Sequence, residues 1–289
     1  MNFSPNLIQD LGQMLAYDFM QRAFAAGTCI AIASGLAGYF IVLRNQVFAS
    51  DALGHAAFTG GLGALLAGFS LPAGVFGATI AVGLGMGALG GRARARDVAT
   101  GTVFAWVLGV GVLFLGLYTA SRSGPSGGTA GVSILFGSIL GLQPLQAAVA
   151  TLAGAGGAAL LLGIARPLLF LSVDPDVAAA RGVPTTAVTL LFLVLLGATV
   201  AEAVMAVGAL LVLGLMVTPA ATAVQLTTRP YAGLLLSAGL ALAFLWAGLV
   251  LAFYLPYPPG FLIVAPAFAA YVAVSAGRHC TAANRAGIR

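Results

Sequence analysis

The sequence predicts an all-α fold, a polytopic membrane bundle of about eight or nine spanning helices. Three observations carry that prediction. Hydrophobic residues make up 61% of the 289 residues and charged ones only 7%, against about 25% in soluble domains. The apolar stretches run to about 20 residues, the length that crosses the hydrocarbon as a helix. The 40 glycines fall largely inside those stretches, where small residues let helices approach closely without water to drive them together.

Nine candidate spans follow in order: Ala23–Leu43, Ala52–Phe69, Pro72–Gly90, Val98–Thr119, Leu145–Ile164, Thr185–Glu202, Val204–Leu226, Tyr231–Leu255 and Phe261–Ala276. Turn chemistry separates them at Ser70-Leu71-Pro72, Arg92–Asp97, Ser121–Gly128, Asp174-Pro175, Thr228-Arg229-Pro230 and Pro256–Gly260. The division at Glu202 is the softest, and a break elsewhere in Thr185–Leu226 gives eight spans. Ile134–Leu142 is apolar but too short to cross, and is expected as a short helix packed on the bundle or lying at its outer surface.

All 12 basic residues are arginine. Under the positive-inside rule, a cytoplasmic Arg92–Asp97 loop places ten of the twelve on one side by alternation, including Arg44, Arg166, Arg181, Arg229, Arg278, Arg285 and Arg289. Only Arg22 and Arg122 fall outside, so nine spans predict an external N-terminus and a cytoplasmic C-terminus. Met1–Gln21 carries Asp10 and Asp18 and no basic stretch, which reads as a lead-in rather than a cleaved signal. Cys29 lies in the first span and Cys280 in the tail, so no structural disulfide is expected. The net charge of +5 reports topology, and no nucleic-acid partner is expected.

Most motif readings are negative. Gly85–Gly90 matches a dinucleotide-binding pattern but ends an apolar span and follows no strand. A Walker A loop needs a lysine, and the chain has none. His-Glu-x-x-His is absent as well, which argues against an intramembrane metalloprotease. The pair His279-Cys280 has ligand chemistry but reads as incidental.

The informative pair is Asp51 and His55. Residues i and i+4 share a helix face, so a carboxylate and an imidazole point to one place. One oxygen and one nitrogen ligand suit a borderline divalent cation such as Zn²⁺ or Mn²⁺. The plain alternative is Ser50 or Asp51 capping the second span beside a satisfied histidine. The stretch Asn45–His55 could also enter the membrane as a broken helix. Glu202 is the other acid within or beside a span, either a second ligand, a proton or gating group, or a boundary residue. In the polar island Asp174–Pro184, Asp174 can cap a helix, Pro175 suits its first position and Gly182 can end it, which predicts a helix of about two turns.

From about Phe24 to Ala276 the chain resembles the ABC-3 type permease of bacterial zinc, manganese or iron ABC importers. The resemblance rests on five landmarks in order. They are Leu43–Ala56 with its Asp-x-x-x-His segment, Arg92–Asp97 with Gly101–Phe104, Leu135–Gly141, Asp174–Pro184, and Val207–Val212 running through Pro219–Ala223. It implies a single transmembrane permease domain over 1–289, with a lead-in at 1–22, a coupling helix at 172–184 and a cytoplasmic tail at 277–289. Asp51 and His55 would contact the transported metal, and a homodimer would offer up to four ligands. Asp174, Pro175, Asp176, Ala180, Arg181 and Gly182 would seat in a groove of an ATPase dimer, which carries the hydrolysis that this chain does not. Val207, Gly208 and Pro219 would line or gate the path. An extracytoplasmic lipoprotein would deliver the metal, and no cofactor would be held permanently. The chain departs from the pattern at Met205, where the family often has a polar residue, and Glu202 has no counterpart role.

Overall fold

A computed structural model describes residues 12–89, 93–121, 134–137, 139–209 and 211–286, without the side chains of 89, 93–97, 99 and 279–286. Several expectations therefore lie outside the described residues. These are Arg92, the side chains of Arg94, Arg96 and Arg285, Arg122 with the run after Ser121, the His279-Cys280 side chains, Arg289, Leu210 and Gly90.

Eleven α-helices of six residues or more are described: α1 Asp18–Leu43, α2 Val47–Leu66, α3 Leu71–Leu89, α4 Ala93–Ser121, α5 Pro144–Gly163, α6 Ala165–Val173, α7 Pro175–Ala180, α8 Thr185–Val207, α9 Val212–Leu226, α10 Pro230–Tyr254 and α11 Pro259–Ala286. No strand is present among the described residues. Seven of the helices are long and apolar enough to cross a membrane. Two more complete the bundle: α2, which carries Asp51 and His55, and the 15-residue α9.

Helices α1 and α8 form the core of the bundle, with 72% of the apolar stretch of each buried. Around them, α1 packs on α5, α9 and α10, while α2 packs on α3 and α4 and α3 on α8. The α2–α3 crossing is close because Gly60 of α2 lies against Gly74 and Ala78 of α3, where an added Cβ would collide with backbone. Outward-facing Trp106, Leu145, Leu152, Leu235 and Phe268 are exposed, as suits a lipid-facing surface.

Helix α2 starts at Val47 and α4 at Ala93, each five residues before the span read from the sequence, and two further boundaries differ more consequentially. Helix α8 runs unbroken past Glu202 to Val207, and the chain breaks at Gly208, with φ +99° and ψ 154°. Only then does α9 begin, about 22 Å long and so short of a full crossing. The broken segment finds its backbone partner in the short apolar stretch after α4: the Ala209 N–H donates to the Ile134 carbonyl at 3.1 Å. Ile134 and Ile139 are buried there, so this stretch packs on the bundle. Irregular backbone at such a place survives only when protein groups satisfy it. The second difference is α11, which continues to Ala286 through the residues expected as a tail.

Candidate metal site and coupling surface

Helix α1 ends in a Schellman turn. Asn45 adopts φ +54°, its N–H donates to the Val42 carbonyl, and the Gln46 N–H reaches back to Ile41 at 2.8 Å. The turn starts α2 at Val47 with Gln46 in the cap position and no side-chain cap. Neither Ser50 nor Asp51 caps the helix, and Asn45–His55 holds no break within α2. Ser50 instead donates to the Val47 carbonyl at 2.7 Å. Asp51 thus lies in the second turn, and His55 about 12 Å along the helix axis from its start.

Ala52 and Leu53 are fully buried, which fixes the rotation of α2 and turns Asp51 and His55 to the opposite, partly open side. Their side chains are 29% and 19% exposed, and Asp51 Oδ1 lies 3.8 Å from His55 Nε2. That is too long for a hydrogen bond. It is close to the roughly 3.4 Å that separates two ligands of a tetrahedral metal bonded at about 2.1 Å, so a small rotation lets both hold one ion. Phe104 of α4 packs edge-on against the imidazole, ring centroids 5.2 Å apart, and holds the ring in place. Gly54, between the pair, faces the Ala209 carbonyl and Val212, so the α8–α9 break abuts the same stretch of α2.

The pair is incomplete within one chain. No group of three His, Cys, Asp or Glu side chains able to hold a metal occurs among the described residues. Glu202 is not brought to it. That residue is on α8, 4% exposed, in a cavity walled by α1, α3, α5 and α8 residues. Val207 and Gly208 sit at the break, while Pro219 lies within α9 and removes one helical hydrogen bond there.

The break pairs Gly208, expected on the path, with Gly137, which carried no assigned role in the sequence. Gly137, at φ +71°, lies against the backbone of Ala206–Gly208, and Gly208 lies against Leu135 and Phe136; neither has room for a Cβ. The signal available was glycine inside the apolar stretch Leu135–Gly141.

At the far end of α8, α7 matches its expectation closely. The Asp174 carboxylate accepts the Val177 N–H at 3.0 Å, Pro175 takes the first position, and Gly182 closes the turn at φ +79°. Ala178 is buried and anchors the helix, leaving Pro175, Asp176, Ala180 and Arg181 exposed. Beside them lies a cavity of about 500 Å³ that Arg44, Ser172 and Thr189 line. The Arg44 guanidinium donates to Thr189 Oγ1 at 3.3 Å and stacks on Phe192, which ties the end of α1 to α8.

The chain is similar to known membrane proteins over most of its length. The chain is 32% identical over 228 residues to the manganese transport system membrane protein MntC of Halalkalibacterium halodurans, covering 78% of this chain and 75% of that protein. It is 30% identical to the manganese import system permease protein ScaB of Streptococcus parasanguinis, covering 86% of each. It is also 30% identical to the chelated iron transport system membrane protein YfeC of Yersinia pestis, covering 89% and 86%. Among solved structures, PsaBC from Streptococcus pneumoniae in complex with Fab superimposes with a TM-score of 0.79 at 25% identity, over 93% of this chain and 95% of that one. The family model for the ABC 3 transport family matches residues 16–278, and the chain belongs to that family.

Proposed function

We infer that this chain is the membrane-spanning permease subunit of an ATP-binding cassette importer, and that it moves a divalent metal cation, Mn²⁺, Zn²⁺ or Fe²⁺, into the cytoplasm of a bacterium. The observation that carries the reading is the Asp51–His55 pair, 3.8 Å apart and partly open, in a chain whose relatives are named for manganese and iron transport. The permease works as a homodimer in the inner membrane, with the N-terminus outside and the C-terminus inside. Two protomers bring four ligands together, which completes the coordination that one chain lacks.

Two cytoplasmic ATPases seat on the exposed face of α7. An extracytoplasmic lipoprotein delivers the ion at the other end. The permease itself makes and breaks no covalent bond. Its work is differential affinity for the cation in two conformations, and the α8–α9 break is the place where packing can change, since Gly54 links it directly to the metal-binding turn of α2. A second reading, a metal chelate as cargo, is favoured by the name of the YfeC relative.

The test is ATP-driven uptake of Mn²⁺ into proteoliposomes holding the permease and its ATPase. Asp51→Ala and His55→Ala each lower uptake by more than about tenfold while the complex stays assembled. Uptake that persists in both variants overturns the metal reading in favour of the chelate, and uptake independent of ATP overturns the importer itself.

A further inference from the structure

Where α7 meets the bundle, five helices come together around the cavity of about 500 Å³, a size usual for small-ligand pockets. The ends of α1, α3 and α6 and the starts of α7 and α8 enclose it. Its depth in the membrane follows from α1. That helix has 26 residues and is therefore about 39 Å long, more than the roughly 30 Å of hydrocarbon. Asp18 stands at its first position and Arg44 just past its last, so Arg44 lies at the level of the lipid headgroups.

The wall has the chemistry of an anion site. Arg44 brings the positive charge, and its bond to Thr189 Oγ1 at 3.3 Å and its stacking on Phe192 fix where that charge sits. Thr189 accepts in that bond, which leaves its own hydroxyl proton to donate. Thr185 and Thr186 also line the cavity, and neither hydroxyl bonds to protein among the described residues. These two begin α8, whose cap position is Pro184, with no side-chain acceptor, and whose first turn holds no acid. Its first backbone N–H groups thus add to the donors. Ser172 does not, since it donates to the Leu168 carbonyl at 2.6 Å. None of the lining residues is acidic. The acids closest in sequence lie elsewhere: Asp174 accepts the Val177 N–H, and Asp176 is exposed on α7. A guanidinium from α1 and hydroxyls from α8 suit a tetrahedral oxyanion that accepts several bonds at once. Leu171 and Leu190 supply apolar wall beside them. Basic pockets between spanning helices at this level hold anionic lipid headgroups.

We propose that this cavity binds a phosphate group, with Arg44 pairing its charge and Thr185, Thr186 and Thr189 donating to its oxygens. Two sources present that group here, the phosphodiester of an anionic phospholipid and free phosphate. Once bound, it ties the end of α1 to the start of α8 beside the coupling helix. The site is independent of which cargo the permease carries.

The intact permease–ATPase complex in neutral detergent, with the ATPase docked, is titrated with phosphatidylglycerol, and bound lipid is counted by native mass spectrometry. A parallel titration follows thermal unfolding against inorganic phosphate at constant ionic strength. The wild type holds one saturable phosphatidylglycerol per protomer. Arg44→Gln weakens it at least about tenfold and T185V/T186V about threefold or more. Arg166→Gln, at an exposed arginine that does not line the cavity, leaves it unchanged. The double threonine variant keeps the Arg44 contacts and carries the test if R44Q fails to assemble. A melt raised by inorganic phosphate in the wild type but not in T185V/T186V, without saturable lipid, upholds the site and names free phosphate as its source. The proposal is overturned by equal lipid losses in R44Q and R166Q, by a T185V/T186V isotherm that superimposes on the wild type, or by saturable binding of neither probe.

Discussion

At the scale of single residues, the bundle depends on a few polar contacts whose energies are small and measurable. Ser237 of α10 is fully buried and donates to the Gly35 carbonyl of α1 at 2.6 Å. Interhelical hydrogen bonds of this kind contribute about 0.6 kcal/mol in membrane proteins, so Ser237→Ala lowers unfolding stability by about that amount in a detergent titration. Asn45 is a sharper case. Its φ of +54° suits asparagine and glycine, and a side chain branching from a plain Cβ pays roughly 1–2 kcal/mol there. Asn45→Ala destabilises by about 1 kcal/mol in the same titration and Asn45→Gly leaves stability near wild type; equal melts for both would show that the turn before α2 is unimportant. Asp51 and His55 were readable as a pair because helical spacing alone brings them together. Their freedom from capping was not readable, since the helix start depends on the Schellman turn at Asn45 and Gln46, which forms through backbone bonds.

At the scale of elements, local and non-local causes separate cleanly. Helix α7 was readable in full, because its cap, first proline and closing glycine all act within nine residues. The cap predicts its own test. Asp174→Ala removes the acceptor for the Val177 N–H and costs about 1 kcal/mol of local helix stability, or about fivefold faster amide exchange across residues 174–182 by mass spectrometry. Uptake per ATP hydrolysed falls with it if α7 couples the two subunits. The α8–α9 break was not readable, because its cause lies some 70 residues away. An apolar run interrupted by one acid looks like a boundary at Glu202, yet the backbone leaves the helix only where the Ile134 carbonyl stands ready for Ala209 and where Gly137 and Gly208 let two chains touch. Gly208→Ala therefore costs about 1–3 kcal/mol from its backbone conformation alone, and the collision with Leu135 and Phe136 adds to that. Gly239, mid-helix in α10 with open space around it, is the matched control: Gly239→Ala raises stability by up to about 1 kcal/mol. Thermal melts of the two variants that move in the same direction would refute the view that the break is held by backbone contact.

At the scale of the whole molecule, the described arginines other than Arg22 gather at one end of the bundle. Alternation along the helices puts Arg44, Arg166, Arg181, Arg229 and Arg278 at one end of the bundle, together with the exposed face of α7. The turn between α10 and α11, with Tyr257 exposed, lies at the other end. Charge bias of this kind sets topology during insertion, and the proposed function needs the same sign, because an α7 that seats an ATPase must face the side where ATP is. In a background with Cys29 and Cys280 replaced by serine, R181C and R229C should react with a membrane-impermeant maleimide only in inverted vesicles, and Y257C only in intact cells. The reverse pattern would leave the fold unchanged. It would put α7 on the wrong side of the membrane for any nucleotide-driven partner, and the Asp51–His55 pair of α2 would then have to serve transport without ATP.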